Sequence, residues 1–453
     1  GHDSSTTVGD VELKPRRDGT VSRFGVGRVL VLAAAVLVVS GGALAAQEVI
    51  DLPAADRRLN ANFDEVFRVG SMNGELWETF GEVSSTGFDA EGYLYIFDRQ
   101  ATRIVKVDRD GNHVSDIGRA GEGPGEMRMA FGFTVMRDGT VVVGDLGHRA
   151  FTLYGSDGEY LRSVSMGAPG SMNIQMGPYL PDPDGDAVYI GGEGGIQIRM
   201  GGPGMAEPTT RPIERLALTG ETTLSEVVAE GWLPPPLEAT EGRTLGSGGG
   251  GNFQISMPPP RAFEPELLVS VVEGGVAYVD SSAYEVNVTD ASGSRVLRRS
   301  IVPEAVTPSV EDAERERRIA EIEEESSGGG GRVMMIGGGG GGGSSNMSID
   351  PDDMRNMRLE SLENLVFFLE VPVIRALASS WGGTLWVQRR GDEPVSNGAI
   401  DIVSPDGGYV GTFAAGETSI PSSFGPDGLA AFIEMDEYDV PTIVVRRLPG
   451  AIN

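Results

Sequence analysis

The feature that most constrains this chain is a repeat in its first third. The segment Glu91-Gly92-Tyr93-Leu94-Tyr95-Ile96-Phe97-Asp98 is followed by Arg103-Ile104-Val105-Lys106-Val107-Asp108 and then by Asp110-Gly111. The same plan returns as Asp138-Gly139-Thr140-Val141-Val142-Val143-Gly144-Asp145, then Phe151-Thr152-Leu153-Tyr154, then Asp157-Gly158. Gly92 and Gly139, Asp98 and Asp145, and Gly111 and Gly158 are each 47 positions apart, with no gap between the copies. Short β-branched and aromatic runs bounded by D-G and x-G turns read as strands joined in hairpins. Each copy predicts four strands. They fall at about 86–89, 93–98, 103–108 and 113–117 in the first, and 132–136, 141–145, 151–154 and 160–165 in the second.

A four-stranded unit of roughly 40–50 residues is a propeller blade. Weaker copies predict a third blade (173–180, 187–191, 196–200, 213–218), a fourth (267–272, 276–280, 284–289, 294–301) and a fifth (373–379, 384–388, 398–404, 409–413). The last unit offers only 418–423, 429–435 and 442–447, and residues 62–69 supply its missing strand. Pairing the N-terminal strand there closes the ring and hides edges that would otherwise template aggregation. Two inserts, about 219–266 and 302–372, lie outside the pattern. With them set aside, six blades average about 44 residues each, within the usual range. The expected fold is therefore all-β: a six-bladed β-propeller of four-stranded blades, closed by the N-terminal strand, with two long inserts on one face. The first insert is rich in Pro and Gly and reads as irregular. The second predicts two helices flanking the glycine tract 337–343, one capped by Ser309 with Asp312 at its third helical position, the other opening at Asp350-Pro351.

The N-terminus predicts export. Arg23 and Arg28 precede the apolar run 29–39, Gly41-Gly42 breaks it, and Ala43-Leu44-Ala45 gives the small-x-small cleavage pattern. Residues 1–46 thus read as an extension plus signal peptide cleaved near Ala45 or Ala46, and residues 47–453 as the propeller, in a periplasmic or secreted setting. Left uncleaved, residues 29–46 approach spanning length and would act as a membrane anchor. The net charge of −30, with Lys only at positions 14 and 106, argues against nucleic acid, whose phosphates need a basic surface. The chain has no Cys and only three His, at positions 2, 113 and 148, which removes thiolate chemistry and multi-imidazole metal sites.

The order x-D-G-x-hydrophobic-Asp, then R-I-x-V-x-D-x-x-G, then an I-G ending resembles NHL-type repeats and the related TolB-like bacterial six-bladed propellers. The loop Ile117-Gly118-Arg119-Ala120-Gly121-Glu122-Gly123-Pro124-Gly125-Glu126 is similar to one found in that group. The resemblance is close only in the first two blades. It implies the ring and an extracytoplasmic setting, and little about activity, because such propellers host binding, sensing, lyase and hydrolase functions.

In blades of this order the connections between blades share a face with the turns between second and third strands. That face collects Trp77, Arg99, Arg119, Glu126, Arg128, His148, Arg149, Arg375 and Arg389 as ligand-binding candidates. Gly118 to Glu126 could cradle an anion on backbone N–H groups, or simply make a tight crossing. His148-Arg149 beside Asp145 reads as an acid/base pair, a ligand contact or a plain surface His. Arg375 starts an inner strand and points toward the central channel, with Arg389 and Arg390 on the next strand. A buried Arg there demands a ligand or an acidic partner. Asp98, Asp145 and Asp280 recur once per blade, as acceptors for turn N–H groups or as weak metal ligands. No G-x-S-x-G elbow or H-E-x-x-H helix is present, and the glycine tracts lack the Lys of a phosphate loop. The scarcity of His and absence of Cys favour a binding module over an enzyme, its ligand or protein partner held on the loop-bearing face. The alternative is a metal-assisted lactonase, lyase or hydrolase working at the channel. No cofactor is expected except Ca²⁺, which channel carboxylates would suit.

Overall fold

A propeller blade is pressed between two others, so its central strands must be apolar on both faces rather than alternating. Leu94–Asp98 and Val141–Asp145 meet that demand: every residue of both strands is buried. The computed structural model describes residue 1 and residues 47–167, 174–191, 196–198, 209–237, 243–246, 252–255, 259–327, 351–436 and 440–453. The expected signal segment at 29–46 and the glycine tracts at 248–251 and 337–343 lie outside the described residues.

Six antiparallel sheets form the blades. Blade 1 is Val83–Phe88, Leu94–Asp98, Arg103–Val107 and His113–Ile117, and blade 2 is Ala130–Val135, Val141–Asp145, Ala150–Tyr154 and Tyr160–Ser165. Their tight turns need a left-handed residue, supplied by Gly92 and Gly139 at φ +83° and +84°. Blade 4 (Leu268–Val272, Gly275–Val279, Glu285–Asp290, Gly293–Arg299) and blade 5 (Ile374–Ser379, Leu385–Arg390, Asn397–Val403, Tyr409–Phe413) follow the expected positions closely. Blade 6 comprises Ser423–Phe424, Leu429–Met435 and Pro441–Arg447, completed by Asp64–Val69 pairing antiparallel with Pro441–Arg447.

Six hydrophobic clusters fill the six seams, one between each pair of blades. Tyr95, Phe97 and Ile104 meet Phe133, Val141 and Tyr154 between blades 1 and 2, and Trp386, Ile402 and Phe413 meet Phe424 and Phe432 between blades 5 and 6. Each such side chain, fully enclosed, contributes about 1.5–3 kcal/mol of burial.

Blade 3 departs from the sequence expectation. Its strands are Leu180–Pro181, Ala187–Ile190, Thr210–Ala217 and Leu224–Trp232. Ile196–Ile198, expected within the blade, instead pairs with Ile174–Met176 in a ladder of its own. The excursion between the second and third strands breaks the 47-residue spacing. The outer strand therefore falls inside the stretch that composition assigned to an insert. In the second insert, helix α1 (Pro308–Ser327) starts earlier than expected: the Glu311 N–H donates to the Thr307 carbonyl, so Thr307 rather than Ser309 is the cap. Pro308 takes the first helical position, where a missing N–H costs nothing. Helix α2 spans Pro351–Ser361.

The N-terminal segment does more than close the ring. Glu48–Leu52 adds a fifth, parallel strand to the outer edge of blade 4. The chain then passes blade 5, where the Leu59 N–H donates to Thr412 and the Thr412 N–H to Arg57, each at 2.8 Å, before joining blade 6. One strap thus covers three outer edges. No helix among the described residues is long and apolar enough to cross a membrane.

Candidate functional site

The six inner strands line a central channel of about 580 Å³. Its wall is hydroxyl-rich: Thr86 Oγ1 lies 2.7 Å from Ser423 Oγ, and Ser270 Oγ donates to Ser379 Oγ at 2.8 Å. These bonds stitch blade 1 to blade 6 and blade 4 to blade 5 across their inner edges. On the face opposite the long loops, the Arg137 guanidinium lies over the Trp381 ring at 4.9 Å. Asp182 is the one carboxylate among the described lining residues, and Arg215 holds it at 2.6 Å.

The recurring strand-end aspartates have a common job. Asp98 accepts the N–H groups of Gly81, Glu82 and Ala101 at 3.2–3.3 Å, and Asp145 accepts those of Arg128, Met129 and Gly147 at 2.7–2.9 Å. Asp280 accepts the Trp232 N–H at 2.7 Å. Each ties the incoming crossing from the previous blade to the end of its own second strand. Each of these carboxylates thus accepts at least one backbone N–H from within the chain. Among the described residues no group of three or more His, Asp or Glu converges as metal ligands.

Asp145 does one thing more. Its Oδ2 lies 2.8 Å from His148 Nδ1, and its side chain is fully enclosed. Burial would raise its pKa, but the N–H groups of Arg128 and Met129 and the His148 ring together hold it below the ordinary carboxylate value. A carboxylate on Nδ1 fixes the imidazole tautomer with the proton on Nδ1 and a lone pair on Nε2. Nε2 is covered and has no hydrogen-bond partner among the described residues. An oriented imidazole with an uncommitted Nε2 can act as a general base.

The other candidates are spread along the same face and mostly engaged. Glu126 takes the Arg119 guanidinium at 2.8 Å and the Gly123 N–H at 2.9 Å, so these two donors of the glycine loop are met by the chain's own carboxylate. Arg128 approaches Glu122 at 3.7 Å, and Arg99 pairs with Glu82 at the channel wall. Trp77 stacks on His113 at 5.2 Å and donates to Glu75 at 3.2 Å. Arg149 adopts a positive φ of 53°, and its carbonyl accepts the Met166 N–H. Arg389 meets Asp56 at 2.8 Å and Asp401 at 3.5 Å. Arg375 stands apart and is taken up below.

Sequence reasoning missed the cluster to which Arg389 belongs. Arg299 and Asp401, both fully enclosed, pair at 2.7 Å, and Arg299 also holds Asp56 of the strap at 2.5 Å. Thr412 donates to Asp401 at 2.5 Å, and the Tyr409 ring lies 5.0 Å beneath the Arg299 guanidinium. The available signal was a charge inside an apolar run, Ile400-Asp401-Ile402-Val403.

No protein-family model matches the sequence, and no curated protein does. The chain is similar to several solved structures at low identity. A DUF4221 family member from Bacteroides vulgatus is 12% identical, covering 86% of this chain and 99% of its own, with a TM-score of 0.45. A protein of Bacteroides fragilis described as exported is 11% identical over 88% of this chain and 100% of its own, TM-score 0.44. A gluconolactonase from Xanthomonas campestris is 12% identical over 88% and 99%, TM-score 0.36. The expectation that favoured a non-enzyme is corrected on this point. A gluconolactonase is among the structures the chain is similar to, and the preference for a non-enzyme is not kept.

Proposed function

We propose that the loop-bearing face carries acid–base catalysis on a small molecule, of the lactone-opening or lyase class, in an extracytoplasmic setting. The observation behind this reading is the Asp145–His148 pair, with Nδ1 held by a buried carboxylate and Nε2 uncommitted. His148 is the general base: it takes a proton from a water that attacks a lactone carbonyl and returns it to the ring oxygen as the acyl C–O bond breaks, or takes one from a carbon next to a carbonyl and returns it to the group expelled from the neighbouring carbon. Asp145 is a positioning residue: it sets the tautomer and stabilises the imidazolium that forms.

The test is a panel of aliphatic, aromatic and sugar lactones, followed by release of acid, with the wild-type chain and His148→Ala compared. Wild-type turnover should fall at least about 100-fold in the variant, the usual contribution of a positioned base, while the chain stays folded with only a modest drop in melting temperature from the lost bond to Asp145. Undiminished turnover in His148→Ala, or no turnover of any lactone by the wild type, would overturn the reading.

A further inference from the structure

Three arginines of blade 5 entered the sequence analysis as residues needing an acidic partner or a ligand. The chain itself answers two of them. Arg389 meets Asp56 and Asp401, and Arg390 meets Glu304 at 2.8 Å. Arg375 differs: its Nε is covered and without an acceptor, as are those of Arg389 and Arg390, but those two place another guanidinium nitrogen on a carboxylate, whereas Arg375 forms no ion pair or hydrogen bond with any described residue. A covered N–H on a charged group without an acceptor is costly, so such a group is retained where something outside the chain completes it.

Arg375 lines a cavity of about 1020 Å³ at the channel-mouth end of blade 5's inner strand, walled largely by the two inserts. The wall is mostly apolar, with Leu233, Leu237, Phe263, Ile374 and Val395 among several prolines. Its other cations are already committed. Arg317 and Arg318 both hold the buried Glu314, at 2.8 and 2.6 Å, and Arg261 holds Glu264 at 3.2 Å. One uncommitted guanidinium in an apolar chamber presents two parallel N–H donors to a planar carboxylate. Chambers of this size enclose most of a small organic molecule. The carboxylates of Glu264, Glu266 and Glu314 in the same wall disfavour a multiply charged anion such as phosphate.

We propose that this vestibule binds a small organic monocarboxylate with an apolar body, the carboxylate on Arg375 and the body against the proline- and leucine-rich wall. The inference does not depend on His148 and can hold or fail without it.

Octanoate is the probe, titrated calorimetrically into the wild-type chain and into Arg375→Gln and Arg375→Lys at low salt. The wild type should bind it saturably, Arg375→Gln should bind at least tenfold more weakly, and Arg375→Lys should fall between them. Because Arg375 forms no ion pair or hydrogen bond with a described residue, Arg375→Gln should melt no lower than the wild type, which separates lost binding from lost folding. Four results would overturn the proposal: no octanoate binding by the wild type up to about 10 mM; equal affinity in Arg375→Gln; octanol binding as tightly as octanoate; or inorganic phosphate competing at equal strength.

Discussion

Arg389 and Arg375 sit on hydrogen-bonded neighbouring strands of one blade, and their surroundings differ sharply. Arg389 belongs to a closed circuit in which Arg299, Asp401 and Asp56 answer one another across blades 4 and 5 and the strap. Arg375, opening into the vestibule, has no such answer among the described residues. The first arrangement is ion-paired within the chain and therefore reads as a fastener. The second is incomplete and therefore reads as a receptor. The difference lies in whether the desolvation cost of a guanidinium has been met internally.

Breaking the fastener should give the largest effect. Asp401→Ala leaves Arg299 fully enclosed without its one fully buried carboxylate partner, and removal of one member of a buried pair typically costs about 3–5 kcal/mol. Urea unfolding at neutral pH measures it. Replacing both partners, Arg299→Met with Asp401→Leu, should recover much of the loss, because no uncompensated charge remains. A cost below about 1 kcal/mol for Asp401→Ala would place the seam's strength in its apolar cluster instead.

The next effect is smaller and depends on pH. Asp145→Asn removes the ionised acceptor facing Arg128, Met129 and His148 and should cost about 1–3 kcal/mol at neutral pH. In the folded chain Asp145 has a pKa below its ordinary 3.8, so the unfolded chain binds its proton first as pH falls. The stabilisation it gives is complete well above 3.8 and fades as pH drops through the lower folded value. The gap between wild type and Asp145→Asn should therefore close on acidification, followed by denaturant melts at a series of pH values. A gap that stays constant with pH would assign Asp145 a role independent of its charge.

The ring itself was legible because its information is local. Paired glycines, strand-end aspartates and uninterrupted apolar runs mark blades 1 and 2, and the count and closing strand followed from them. Blade 3 was less legible because an excursion at 191–209 separates strands that pair in space, and spacing was the signal in use. The strand Glu48–Leu52 was missed for a related reason. It is mostly exposed and pairs with Gly293–Arg299, far along the chain, so no periodicity announces it. For the site, sequence could place Asp145 beside His148, since they are three positions apart. It could not tell which of Arg375, Arg389 and Arg390 would be answered, because Asp56 and Glu304 reach them from distant segments.

The smallest effects sharpen the comparison most. Arg390 and Glu304 form a partly exposed pair, with Glu304 44% exposed, and such pairs contribute about 0–1 kcal/mol. Arg390→Gln should therefore lower stability only slightly. Arg375→Gln should not lower it at all: replacing a guanidinium that has a covered, unanswered N–H removes a cost rather than a contact, so a change within about 0.5 kcal/mol or a small gain is expected. Paired denaturant melts of the two variants, without added carboxylate, measure the contrast. A loss of more than about 1 kcal/mol in Arg375→Gln would mean that the chain already answers Arg375 in solution. It would then join Arg389 as part of the fastener.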